Sequence, residues 1–511
     1  MVVVGREPLS VADVVAVARG GERVEVAADL DATLARSRAV VEEAVAEGRT
    51  VYGVTTGFGA LASTRIPAEH VAQVQYALVQ SHAAGMGPDV DREVVRAMQL
   101  LKARTLAAGA SGVRPALVRA IVDLLNAGIT PAVPELGSLG ASGDLAPLAH
   151  VAIVLLGNGW VVDMEGRRAD AAPALAAAGL EPIRLEAKEG LALLNGTEGM
   201  LAHLCLALAD LDIVLRTADV TCALSVEALR GTDAPFAARI QGLRPHAGQA
   251  ASAANLRRLL DGSPIVASHR HVEHAVQDAY SLRCAPQVHG AAREVVEWCR
   301  RMVGVELASV TDNPVVFPDD GSSGTGEVVS TGNFHGQPLA YAADFAAIAL
   351  ADLGSIVERR VDRLMDPSRS DGLPPFLAPE AGVNSGFMLA HYTAAALVNR
   401  LRAHATPASC DSVSTSAGQE DHVSMGWNAC LSLRAAVTDA MRVLAIELVC
   451  AAEAVELRGL APAAATGAAI ECLRRRVPRM DVDRFLAPDL AAAEELVRSG
   501  EVLRAVPVEL D

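Results

Sequence analysis

The chain has 511 residues, 51% of them apolar but only 3% aromatic, and its formal charge is −17. That length provides a large core and two or three domains. The acidic balance, with no basic face, excludes nucleic acid as a partner. Of the 44 basic residues only Lys102 and Lys188 are lysines; the scarcity reads as a compositional bias and gives Schiff-base chemistry no support. Eight scattered cysteines, without a C-x-x-C pair, read as free thiols in apolar helices of a protein from a reducing compartment, with no structural zinc. The first residues lack a basic stretch leading into a long apolar one, and the most hydrophobic segments are broken by Asp210 and Asp212 or by Asp344 and Asp352. The expectation is a cytoplasmic protein with no membrane segment.

Alanine-rich, aromatic-poor sequence with helical periods predicts a mainly α fold. A loop-rich N-terminal region over 1–198 precedes a central bundle of long helices over 199–460 and a helical segment over 461–511. In chain order, a helix is expected near 30–48, followed by the glycine-rich run Val51-Tyr52-Gly53-Val54-Thr55-Thr56-Gly57-Phe58-Gly59. A tyrosine among glycines can cap a small apolar cluster or do chemistry. A helix across 69–82 ends in Ser81-His82, with Gly85 placed to cap it.

The run Gly137-Ser138-Leu139-Gly140-Ala141-Ser142-Gly143-Asp144 has a glycine at every third position. Its spacing fits neither a dinucleotide loop nor a P-loop, and Asp144 stands where a nucleophile elbow needs glycine. A plain turn is the structural reading. The chemical reading is that a hard bend lets the Gly143 nitrogen reach the Ala141 carbonyl carbon. Ring closure with loss of water, then dehydration of Ser142, would leave an electron-poor methylene, a group no protein side chain offers. A small hairpin near 157–163 comes next, and Lys188-Glu189-Gly190-Leu191-Ala192-Leu193-Leu194-Asn195-Gly196-Thr197 reads as a turn before a helix.

Long helices are expected over about 200–230, 287–310, 336–366, 384–404 and 427–457, each beyond the usual ~11–12 residues. Several are apolar all round, so burial on more than one side, and hence oligomerisation, is expected. Between them Gln277, Tyr280 and Arg283 share one irregular segment that could clamp a carboxylate, although a surface ion pair is the plainer reading of Arg283. His269-Arg270-His271-Val272-Glu273-His274 has no zinc spacing and reads as an exposed polar turn. A loop holding Asp319 to Gly324 is flexible filler between Thr311-Asp312-Asn313-Pro314 and Gly332-Asn333-Phe334-His335-Gly336. Gln419-Glu420-Asp421-His422-Val423-Ser424-Met425-Gly426 precedes the last long helix and could serve as its polar cap.

Together these motifs, in this order and over essentially the whole chain, resemble the aromatic amino acid ammonia-lyase family. The resemblance implies a helix-bundle fold related to that of fumarase and aspartase. It also implies a 4-methylidene-imidazol-5-one (MIO) group made from Ala141, Ser142 and Gly143, with no metal or nucleotide. By the same match Tyr52 lies on the lid loop as general base, and Asn195 helps form the group and positions the substrate's amino group or carboxylate. Arg283 holds the α-carboxylate, Tyr280 and Gln277 line the site, and Phe334 lies beside the MIO. Ala279 departs from the proline of many relatives. The Ser81-His82 pair and Glu420 resemble histidine-specific members, where phenylalanine-specific ones carry Phe-Leu and glutamine. The resemblance therefore implies deamination of L-histidine to trans-urocanate and ammonia in a homotetramer whose active sites draw on three chains. Phenylalanine or tyrosine lyases, 2,3-aminomutases and an inactive helical assembly are the alternatives.

Overall fold

A computed structural model of the chain describes residues 1–57, 59, 64–163, 165–270, 276–319 and 326–511. Phe58 of the glycine-rich Val51–Gly59 run, His271, Val272, Glu273 and His274, and most of the 319–324 loop lie outside the described residues. The fold is mainly α. Its strands are short and form small separate sheets of two or three strands. The chain divides into two compact units, Met1–Leu206 with Arg300–Ala343 and Pro407–Leu431, and Ala207–Cys299 with Asp344–Thr406 and Ser432–Asp511.

The first unit is built around the Arg92–Ala107 helix, buried from Val94 onward. Such a helix needs apolar or neutralised side chains on every face, and its polar residues are accordingly bonded inward: Arg96 donates to Val17 O and Leu125 O, and Arg104 to Ala308 O and Ser309 O. The Pro115–Asn126 helix starts on a proline, whose missing N–H costs nothing there. Its apolar stripe of Leu117, Val118, Ile121, Leu124 and Leu125 is buried. The Leu145–Leu155 helix begins directly after the Gly137–Asp144 loop and is buried from Pro147 to its end. The hairpin expected near 157–163 is a three-stranded sheet in which Trp160–Val162 lies between Thr130–Pro131 and Arg168–Asp170.

The expected helices occur as Leu30–Ala46, Val71–His82, Glu198–Ala228, Ala285–Ala308, Gln337–Met365, Met388–His404 and Gly426–Leu457. Gly85 is not the cap of the Val71–His82 helix; that place falls to Ala83. Gly85 is instead a close-approach residue, since a Cβ there would come within 3.1 Å of His150 Nε2 and 3.2 Å of Pro134 Cβ.

In the second unit Arg360 and Glu447 form a fully buried ion pair, which Ser225 Oγ joins with a 2.7 Å bond to Glu447 Oε1. Asp219, also buried, is met by His289 Nδ1 at 2.8 Å and Arg293 Nη2 at 2.6 Å. Burial works to raise the Asp219 carboxyl, but these partners hold it down at about 2. His269 is not exposed, as expected from sequence, but buried, with Nε2 3.0 Å from Gly231 O. Ser263 caps the short Pro264–Ser268 helix by accepting from Val266 N.

Among the described helices, Gln337–Met365 is long and apolar enough to cross a membrane, contrary to the expectation that its acidic residues interrupt it. Its most apolar window is 56% buried within the protein, and Asp344, Glu358 and Arg360 along it are buried too. This is how a core helix passes the same test. Six of the eight cysteines are buried, and all eight are free thiols.

Candidate active site

The Gly137–Asp144 loop departs from ordinary turn geometry. Ser142 has φ 49°, Gly140 φ 96° and Gly143 φ 84°, so three of four consecutive residues lie in the left-handed region. Ser142 is the one with a side chain, and such residues carry strain that surrounding structure must hold. The surroundings do hold it. Gly143 N donates to Gly140 O, Gly196 N to Ser142 O, and Asp144 N to Gly196 O at 2.8 Å, so the Asn195-Gly196 segment is stitched along the loop. Met425 N donates to Leu139 O from the other side, and a Cβ on Gly140 would lie 2.9 Å from Ser424 N. A Cβ on Gly143 would overlap the Gly196 carbonyl, with its carbon at 2.5 Å. The Ala141-Ser142-Gly143 segment therefore fits a backbone-derived group: it is sharply bent, glycine is required at 143, and Ser142 faces a cavity.

That cavity measures about 650 Å³ and is lined by residues of the first unit, among them Tyr52, His82, Ser142, Asn195, Ser416 and Glu420. Tyr52 enters from its glycine-rich turn, where its hydroxyl accepts from Gly59 N at 3.2 Å. His82 is the last residue of the Val71–His82 helix, and its Nδ1 lies 2.9 Å from Leu78 O. A carbonyl only accepts, so Nδ1 carries the proton and Nε2 is left as an acceptor. Burial pushes the His82 pKa down, and the nearby Glu420 charge opposes it. Glu420 is held by Thr415, whose hydroxyl donates to Oε2 at 3.0 Å. Two acceptors on one cavity suit a ligand bearing ring N–H donors.

Five of the residues singled out from sequence thus meet on one cavity. Ala141 and Gly143 are buried beside Ser142. Phe334, partly buried in the same unit, is not part of the described lining. Gln277, Tyr280 and Arg283 belong to the second unit. There the Arg283 guanidinium stacks on the Tyr280 ring at 4.5 Å, and its Nε donates to Asp278 O. Gln277 and Tyr280 are exposed, Tyr280 by 71%. Arg360 Nη1 lies 3.4 Å from Ser281 O on the same short segment.

Other residues escaped the sequence reading. Gln75, buried in the Val71–His82 helix, donates to Gly53 O and accepts from Leu191 N, tying the Tyr52 turn to the Glu189–Leu194 helix. Asp312, noted only as a loop flank, receives Asn195 Nδ2 and Lys188 Nζ. Asp144 is fully buried; burial pushes its carboxyl up to about 7, with repulsion from Glu198 adding to this and the hydrogen bond from Met200 N opposing it. No group of side chains suited to a metal occurs among the described residues.

A sequence profile described as aromatic amino acid lyase matches residues 9–475. Histidine ammonia-lyase of Streptomyces avermitilis is 54% identical over 99% of this chain and 98% of its own length. The enzyme of that name from Symbiobacterium thermophilum is 49% identical over 98% of the chain and 97% of its length. Among solved structures, a tyrosine aminomutase from Streptomyces globisporus superposes with a TM-score of 0.93 at 38% identity, covering 100% of both chains. Histidine ammonia-lyase from Trypanosoma cruzi does so with 0.90 at 40% identity, over 99% of this chain and 94% of that one. The chain belongs to the aromatic amino acid lyase family.

Proposed function

We propose that this protein removes ammonia from L-histidine, without oxidation, to give trans-urocanate. The observation that carries the reading is the pairing of His82 with Glu420 on the cavity that also holds Ser142, Asn195 and Tyr52. A protonated imidazole ring offers an N–H to each of those two acceptors, and a neutral one offers a single N–H to Glu420. A phenyl ring would leave both unmatched, at a cost of about 1–3 kcal/mol each. The names of the relatives at 49–54% identity support the same substrate.

Ala141, Ser142 and Gly143 would hold the MIO group, which supplies an electrophile absent from ordinary side chains. The chain's own residues do the rest. Tyr52, on a turn that can close over the site, takes the β-hydrogen as general base. His82 and Glu420 hold the ring so that the β-carbon faces the phenol oxygen, and Asn195 fixes the amino end of the substrate. Arg283, with Gln277 and Tyr280, clamps the α-carboxylate. In this reading these three come from a neighbouring subunit of a homotetramer, which accounts for the exposure of Gln277 and Tyr280 in a single chain. Buried free thiols suit a cytoplasmic enzyme.

Incubation with L-histidine, followed by the rise of urocanate absorbance, tests the reaction. Conversion of L-phenylalanine or L-tyrosine in place of histidine would overturn it. A β-amino acid product would assign the chain instead to aminomutase chemistry, the activity named for its neighbour of TM-score 0.93.

A further inference from the structure

The only two lysines of the chain reach Asn195, Lys102 directly and Lys188 through Asp312. Lys102, from the buried Arg92–Ala107 helix, directs Nζ at Asn195 O (2.5 Å) and Ala192 O (3.4 Å), with Glu198 Oε1 3.0 Å away. Lys188 precedes the Glu189–Leu194 helix in a left-handed conformation (φ 70°) and places Nζ 2.6 Å from Asp312 Oδ2. Asp312 Oδ1 in turn accepts from Asn195 Nδ2 at 3.4 Å, and Asn313 O accepts from the same nitrogen at 2.5 Å. Lys102, Lys188, Glu198 and Asp312 are all buried.

Burying two ammonium groups, one on a strained backbone, is costly unless the charges accomplish something that neutral side chains would not. The chemistry of Asn195 supplies that reason. A side-chain amide has a donor end and an acceptor end of nearly equal size, and it can turn over. Asp312 as a carboxylate and Asn313 O are both acceptors only, so they take the NH₂ end. The ammonium of Lys188 keeps that carboxylate paired and therefore acceptor-only. Lys102 meanwhile caps the carbonyl of Asn195 itself and pins the backbone from which the side chain projects. Asn195 lines the cavity, and the end left to face it is Oδ1.

We propose that Lys188, acting through Asp312, and Lys102, acting through the Asn195 carbonyl, are positioning residues that lock the Asn195 amide with Oδ1 toward the cavity, where it accepts a hydrogen bond from the substrate's amino group. The lock selects an amine over a carboxylate at this point, because a carboxylate has no proton to give. The inference rests on the amino acid lyase reading above and deepens it.

Two double variants test the lock without stranding a charge: Lys188→Met/Asp312→Asn and Lys102→Met/Glu198→Gln. Asp312→Asn alone keeps the shape and lets the Asn195 amide turn, but leaves the buried Lys188 ammonium without its carboxylate. Each is compared with wild type in KM for L-histidine, in Ki for imidazolylpropionate, which keeps ring and carboxylate but lacks the amine, and in intact mass. The expected result is a KM raised about 5- to 100-fold, an unchanged Ki, and the wild-type mass deficit of two waters. A KM and Ki that rise together, no change in either, or loss of the mass deficit each overturn the proposal. Wild-type protein that leaves L-histidine untouched refutes the reaction assignment instead, and the amine lock is then read with the amino acid it does convert and that substrate's des-amino analogue.

Discussion

Gly143→Ala is the most direct probe of the bent loop. Gly143 has φ 84°, where an alanine costs about 1–2 kcal/mol more than glycine. Its new Cβ would also overlap the Gly196 carbonyl, with the carbon at 2.5 Å and Gly196 Cα at 3.2 Å. These are backbone atoms already tied to Ser142 and Asp144 by hydrogen bonds, so they cannot swing aside as a side-chain tip would. Overpacking of that kind adds about 1–3 kcal/mol. The total of about 2–5 kcal/mol corresponds to a melting temperature roughly 5–15 °C below wild type for the unit that holds the loop. Gly179→Ala is the control, because Gly179 has a similar φ of 70° with nothing within 4 Å of a new Cβ; only the backbone part of the cost applies there. Scanning calorimetry reads the two shifts, and intact mass reads whether the backbone cyclises. Equal melting points for the two variants, with the mass deficit intact in Gly143→Ala, would refute the argument.

Ser142→Ala should keep the wild-type melting temperature but lose the mass deficit and nearly all turnover; full turnover would remove the backbone-derived electrophile from the account. Glu420→Gln should lower kcat/KM for L-histidine about 5- to 150-fold, the range of one unmatched polar contact, and steady-state kinetics on histidine and phenylalanine check both loss and selectivity. Gln75→Met leaves Leu191 N and Gly53 O without their partner, so amide exchange at Leu191 should quicken and KM should rise. Burial pushes the Asp144 carboxyl up to about 7 from an ordinary 3.8, so the folded chain holds that proton more tightly than the unfolded one. Its contribution to stability is then complete below about pH 4 and is lost as pH rises through 7, on the order of 4 kcal/mol in all. Asp144→Asn should flatten that slope in melting experiments from pH 4 to 8; an unchanged slope would assign it to other groups.

Much of the site was legible because its chemistry depends on local covalent pattern. A glycine at every third position from Gly137 to Gly143 is visible in the sequence, and the cyclisation proposed for Ala141-Ser142-Gly143 involves only neighbours in the chain. The long helices were legible for a similar reason, since alanine-rich runs with apolar residues on several sides have few other ways to be buried. Gly85 was misread because a glycine at a helix end usually means a left-handed cap, and only the packing of His150 and Pro134 against it gives the real cause. His269 was misread because a polar string shows nothing of the Gly231 carbonyl that its ring meets across the fold.

Sequence alone, then, singled out the Ala141-Ser142-Gly143 triplet by its glycine spacing, and Tyr52, His82 and Glu420 by the resemblance of their motifs to the family's. Tertiary structure alone decided that Lys102, Lys188, Asp312 and Gln75 serve Asn195 and the Tyr52 turn. These residues are separated from their partners by up to about 120 positions, and Lys188 stands 124 residues before Asp312. An ion pair or amide bridge over such a span exists only once the core has closed around it and excluded water.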